Sequence, residues 1–135
     1  MGAKKLFLVD DDDIFSIAAE VLIKSNGLAD EVVPLKNGLE AYDALMALEN
    51  NPEELPEVLF LDINMPVMNG WELLEELKNG PEIIRRQVQI HILTSSIDPS
   101  DLVLSKTYDF INGYITKPLT EADLNKISEG LKYLI

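Results

Sequence analysis

Apolar residues recur along the chain in five short runs separated by segments of helical period. The runs are Lys5 to Val9, Glu31 to Leu35, Val58 to Leu61, Val88 to Leu93 and Gly113 to Thr116. Continuous apolar runs of this length read as strands, and the 3.6-residue pattern between them reads as helices. Strand and helix in alternation imply βα units, which close into a parallel sheet. Pro34 cannot donate to a hydrogen-bond ladder, so the second strand belongs at an edge. The doubly wound order 2-1-3-4-5 puts it there. The expected fold class is therefore α/β, with a five-stranded parallel sheet.

The first predicted helix shows Ile14, Ile17, Ala18, Val21 and Leu22 on one face and stops at Asn26-Gly27. The second starts at Asn37 with Glu40 three residues on, and is expected to bury Leu39, Tyr42, Leu45 and Met46. Glu49 to Glu57, acidic and proline-bearing, reads as plain connection. The third helix begins near Gly70-Trp71 with Leu73, Leu74 and Leu77 as its stripe. Asn79-Gly80-Pro81 interrupts it before a short stretch ending at Arg85-Arg86, expected to be solvated. The fourth takes Asp98 as cap, Pro99 in its first turn and Asp101 at the capping-box position. The fifth repeats the device with Thr120 and Asp123, then buries Leu124, Ile127 and Leu131. There is no internal repeat, and residues 4 to 135 read as one domain.

Composition narrows the partners. The 135 residues carry 11 basic and 24 acidic side chains, a net charge of −13. Nucleic acid and anionic membranes both require a basic surface, so neither is expected as a direct partner. Metal cations and basic protein surfaces remain open. The chain contains no cysteine, which removes thiol redox chemistry and disulfides from consideration. The start of the chain has neither the pattern of a signal peptide nor a membrane span, and a cytoplasmic location is expected.

The candidate chemistry lies where strands end. Leu6 to Val9 runs into Asp10-Asp11-Asp12-Asp13, and Val58 to Leu61 runs into Asp62 before the turn Asn64-Met65-Pro66. If these strands are parallel neighbours, their carboxyl ends share the crevice in which open α/β sheets bind ligands. At least three carboxylates then crowd one site. Thr94, Ser95 and Lys117 also follow strands and add hydroxyls and one cation. Crowded carboxylates raise one another's pKa unless a counter-charge is present. Hard oxygen ligands without histidine or cysteine suit Mg²⁺, which is commonly completed by phosphate oxygens. The set reads as a phosphoryl site.

Val9-Asp10-Asp11, Leu61-Asp62-Ile63-Asn64-Met65-Pro66 with Met68-Asn69-Gly70, Leu93-Thr94 and Tyr114-Ile115-Thr116-Lys117-Pro118 resemble the receiver domain of bacterial two-component response regulators, the CheY-like proteins. The resemblance covers nearly the whole chain and implies the flavodoxin-like (βα)5 fold. It further implies Asp62 as phosphoacceptor, Asp10 and Asp11 as metal-binding acids, and the Asn64 backbone carbonyl as a further ligand to Mg²⁺. Thr94 and Lys117 are implied to bind phosphoryl oxygens, Lys117-Pro118 to be a cis peptide, and Tyr114 to be an aromatic switch paired with Thr94. The resemblance also implies that Asn64 and Ser96 fall at positions that tune the lifetime of the phosphoryl group. The implied donor is a sensor histidine kinase or histidine phosphotransfer protein. The implied readout is a change in the face of the fourth helix, fifth strand and fifth helix, acting on another protein, since no output domain is expected. The chain is expected to be a phosphoacceptor rather than a turnover enzyme, and a monomer or weak homodimer.

One feature departs from the usual pattern. Asp12 and Asp13 extend the acidic pair to four, with Asp12 expected at the crevice rim and Asp13 as a cap or solvated residue. Which of the acids ligate is open by one position. Two rival readings exist: a haloacid-dehalogenase-like phosphohydrolase using Asp10-Asp11-Asp12, and a pseudo-receiver that keeps the fold without phosphorylation. The first lacks the expected residue at Ile14 and its late acidic motif. The second is disfavoured because every phosphorylation position is filled. His91 reads as a core histidine and Trp71 as a packing residue.

Overall fold

The computed structural model describes residues 3–95 and 98–132. Five strands alternate with helices: β1 (Ala3–Val9), α1 (Asp13–Asn26), β2 (Ala29–Leu35), α2 (Gly38–Met46), β3 (Val58–Asp62), α3 (Gly70–Lys78), α4 (Glu82–Gln87), β4 (Gln89–Thr94), α5 (Pro99–Ser105), β5 (Ile111–Thr116) and α6 (Glu121–Lys132). The strands are parallel, in the order β2-β1-β3-β4-β5. Pro34 thus lies on an edge strand, where its missing N–H breaks no inner ladder. The α5, β5 and α6 elements are the fourth helix, fifth strand and fifth helix of the sequence reading. The stretch ending at Arg85-Arg86 is a separate short helix, α4.

Central β3 is buried on both faces, and its alternation divides the core. Leu59 and Leu61 pack with α2, α3 and α4 through Ala41, Leu45, Leu73, Leu77 and Ile84. Val58 and Phe60 pack with α1 and α6 through Ala19, Ile23, Leu124 and Ile127. No helix among the described residues is long and apolar enough to cross a membrane.

Helix α1 departs most from the sequence reading. Its buried residues are Ser16, Ala19 and Ile23, while Ile14, Ile17 and Val21 are 82%, 66% and 65% exposed. The expected apolar face therefore points largely to solvent. Both sets recur at helical spacing, so periodicity had two solutions, and small Ser16 and Ala19 let the helix lie close on the sheet. In α2 the buried positions are Gly38, Ala41 and Leu45, and Leu39 is exposed for the same reason.

Capping also sharpens the boundaries. Asp12, not Asp13, caps α1, its Oδ1 accepting from the N–H groups of Ile14 and Phe15. Asp13 pairs with Lys36 instead. Asn69 and Glu72 form a reciprocal capping box at α3, an Asn-x-x-Glu signal already present in the sequence. The Thr120–Asp123 box forms as expected, whereas the Asp98 carboxylate takes the Ser100 N–H and leaves Asp101 outside the motif. Arg85 is not simply solvated: its Nη1 donates to the carbonyls of Leu77 and Gly80 at 2.6 and 2.8 Å, closing the end of α3.

Candidate functional site

Two strands deliver the acids. β1 and β3 pair directly with Val9 opposite Leu61, so Asp10 and Asp62 emerge side by side at their carboxyl ends. Carboxylate oxygens of Asp10, Asp11 and Asp62 all lie within 4.8 Å of one another. The Asp10 side chain is fully buried, Asp62 is buried and Asp11 is exposed. Each therefore presents to the crevice from a different depth.

Lys117 follows β5 and reaches the acids past β4. Its Nζ lies 2.6 Å from Asp10 Oδ2 and 3.7 Å from Asp62 Oδ2. The Lys117 N–H donates to the Thr94 carbonyl at 2.7 Å, and the Lys117–Pro118 peptide is cis. Nζ also sits 4.4 Å from the centre of the Phe15 ring, a cation–π contact that no motif announced. In sequence Phe15 is one more apolar residue of α1.

Among the described residues, Lys117 is the one ammonium paired with this three-acid cluster, through Asp10 and Asp62. Burial, with the Asp10 charge beside it, raises Asp62 from 3.8 to about 6, although Lys117 and the Asn64 N–H work in the other direction. The cluster is thus short of positive charge. Its donors are hard oxygens with neither histidine nor cysteine among them, and a divalent cation such as Mg²⁺ fits that set.

The loop after Asp62 is held tightly. The Met68 N–H donates to the Pro66 carbonyl at 2.8 Å, forming a three-residue turn about Val67, whose φ is 69°. A β-branched residue in that region stores about 1–3 kcal/mol of strain. Gly70 explains how the loop can pack: a Cβ there would come 2.7 Å from the Asp62 carbonyl oxygen and 2.9 Å from Ile63 Cα. Any larger residue pushes α3 off the strand end that carries Asp62. The Asn64 N–H lies 3.4 Å from Asp62 Oδ1, and its side chain is exposed.

The other candidates occupy the same end of the sheet. Thr94 ends β4 buried, paired in register with Thr116, and Ser95 beside it is exposed. Tyr114 is half-buried, and its hydroxyl donates to the Asp101 carbonyl of α5 at 3.1 Å. Ser96 lies outside the described residues. Trp71 stacks on Tyr108 with centroids 6.2 Å apart, a packing role.

A buried carboxylate flanked by two acids, a lysine and a strand-end threonine on a 2-1-3-4-5 sheet is the arrangement of a receiver domain. Comparison with known proteins agrees: a family model of the response regulator receiver domain matches residues 6–129, and the chain belongs to that family. It is similar to response regulator Rcp1 of Synechocystis sp., 30% identical over 96% of this chain and 86% of that protein. A structure of the Mn(2+)-bound form of Rcp1 superposes with a TM-score of 0.70 at 28% identity, covering 96% of this chain and 91% of that one. Chemotaxis protein CheY of Halobacterium salinarum is 31% identical over 96% of this chain and 98% of its own length. A two-component response regulator from Cytophaga hutchinsonii superposes with a TM-score of 0.90 at 28% identity, covering 98% and 99% of the two chains.

Proposed function

We propose that this receiver domain takes a phosphoryl group on Asp62 from the phosphohistidine of a sensor kinase or histidine phosphotransfer protein in the cytoplasm. The observation that carries the reading is the convergence of Asp10, Asp11, Asp62 and Lys117 at one crevice. One Asp62 oxygen attacks phosphorus in line. The new O–P bond forms as the N–P bond breaks, and its electron pair returns to the donor imidazole. Mg²⁺ held by Asp10, Asp11, Asp62 and the Asn64 carbonyl supplies charge neutralisation when bound. Lys117 pairs with one phosphoryl oxygen and the Thr94 hydroxyl with another. Asn64 and Ser96 set how readily water reaches the phosphoryl group, and the chain is a stoichiometric acceptor with no turnover of its own.

The donor protein docks on the exposed stripe Ile14, Ile17 and Val21, which begins directly after the acids. Readout runs through Tyr114. When Thr94 turns toward the phosphoryl group and Tyr114 follows, the bond from the tyrosine to Asp101 is lost. No side chain of helix α5 is fully buried, so that bond is one of the contacts holding it. The α5, β5 and α6 surface then changes toward a downstream protein. Intact mass after incubation with a small acyl phosphate and Mg²⁺ tests the reading. One phosphate adduct on wild type and none on Asp62→Asn is expected; an adduct retained by the variant rejects it, as does sustained release of inorganic phosphate.

A further inference from the structure

A cavity of about 430 Å³ opens between β5 and α6, reaching the amino ends of β4 and β5 rather than the acids. Glycine forms part of both walls, Gly113 on the strand and Gly130 on the helix. A Cβ on Gly130 would meet nothing within 4 Å, whereas one on Gly113 would come 3.0 Å from His91 Nδ1. Gly113 thus makes room for the imidazole, and Gly130 leaves the space above it open.

His91 is 8% exposed and stands edge-on to Phe60. Its Nε2 lies 3.4 Å from Gln89 Oε1, and with Nε2 as the donor of that contact the ring proton sits on Nε2. Nδ1 is then a lone-pair acceptor with no protein hydrogen bond among the described residues. No fully enclosed side-chain nitrogen or oxygen lacks a partner among those residues, so Nδ1 opens onto the cavity. Burial lowers His91 to about 4, which keeps the ring neutral and accepting at physiological pH. At the rim, Asp123 is engaged with Thr120, and Lys126 is exposed. The net charge of −13 works against an anionic ligand.

We propose that this cavity is a second binding site, for a compact uncharged heteroaromatic molecule that donates one N–H to His91 Nδ1 and packs on Ile115 and Ile127. Its volume falls in the usual range for small-molecule sites, about 300–1,000 Å³. An apolar body with one donor matches an inner wall of Ile115, Ile127 and the buried His91 acceptor, with polar Gln89, Asn112, Asp123 and Lys126 around it.

Indole and 1-methylindole, near-identical in shape but differing in the donor, are the probes. Titration of the labelled full chain by NMR is expected to give saturable shifts at His91, Gly113 and Gly130 with indole, and at least about tenfold weaker binding of 1-methylindole, the loss of one hydrogen bond. Gly130→Leu fills the cavity from a helix position that touches nothing and raises helix propensity, so it folds and abolishes the shifts. His91→Phe keeps the contact with Phe60 and brings indole down to the level of 1-methylindole. The proposal is overturned if indole gives no saturable shifts up to its solubility limit, if both probes bind equally to wild type, or if Gly130→Leu still binds. Should His91→Phe fold poorly, the comparison of the two probes on wild type decides.

Discussion

Asp62→Asn is expected to make the metal-free protein more stable at neutral pH, although it removes the proposed phosphoacceptor. Burial and the neighbouring Asp10 raise the Asp62 carboxyl from 3.8 to about 6. The folded state therefore holds this proton more tightly than the unfolded chain does. Above pH 6 the folded protein must carry an ionised group that its surroundings disfavour, and the difference corresponds to about 3 kcal/mol. Asparagine has the same shape without the charge, so a gain of about 1–3 kcal/mol is expected at pH 7. The sign fixes the pH window. Below about pH 3.8 the carboxyl is neutral in both states and the advantage vanishes, and it grows as pH rises toward 6. Urea unfolding of both proteins in a chelator, at pH 7 and near pH 4, measures it. Added Mg²⁺ stabilises wild type by binding the native state and should narrow or reverse the gap. If Asp62→Asn is no more stable than wild type in chelator at pH 7, the crowded-carboxylate argument for the cation fails.

Lys117→Ala is expected to bind beryllofluoride yet lose most of the amide-exchange change across residues 99–132, because a charge-assisted contact of roughly 1.5–3 kcal/mol is gone; Thr94→Ala should lose less. A full wild-type response in Lys117→Ala removes that residue from the coupling. Gly70→Ala should cost about 2 kcal/mol or more and slow phosphorylation, since the new methyl meets the backbone at Asp62 and Ile63. Near-normal unfolding and phosphorylation of that variant would refute the close-approach argument. Ile17→Glu should slow transfer from a protein donor while leaving phosphorylation by a small acyl phosphate unchanged, and equal effects on both would dismiss the docking stripe. His91, lowered by burial from 6.5 to about 4, takes up its proton more readily when unfolded. Its contribution is complete above pH 6.5 and is lost toward pH 4, by up to about 3 kcal/mol, a loss that His91→Phe should not show in urea melts at pH 7 and 4.5.

The sequence by itself determined the elements and the chemistry at their ends. Strands buried on both faces, as β3 is, are continuous apolar runs, so Val58 to Leu61 could be read directly, and the turn signals beside it placed Asp62 at a strand end. Pro34 went further and put β2 at an edge through one missing donor. Cap residues such as Asn37 and Thr120 could be read because their hydrogen bonds are local. What only the tertiary structure decided are matters of which surface meets which. Helix α1 offers one stripe through Ile14, Ile17 and Val21 and another through Ser16, Ala19 and Ile23. Periodicity reports that a helix has faces, while close packing against the sheet selects the one with small residues. Lys117 and Phe15 stand far apart in the chain, and no local rule brings an ammonium over that ring. The same holds for Gly113 and His91, whose fit depends on the register of β4 with β5. Spacing along a chain encodes contacts within an element, and contacts between elements exist only once the sheet has assembled.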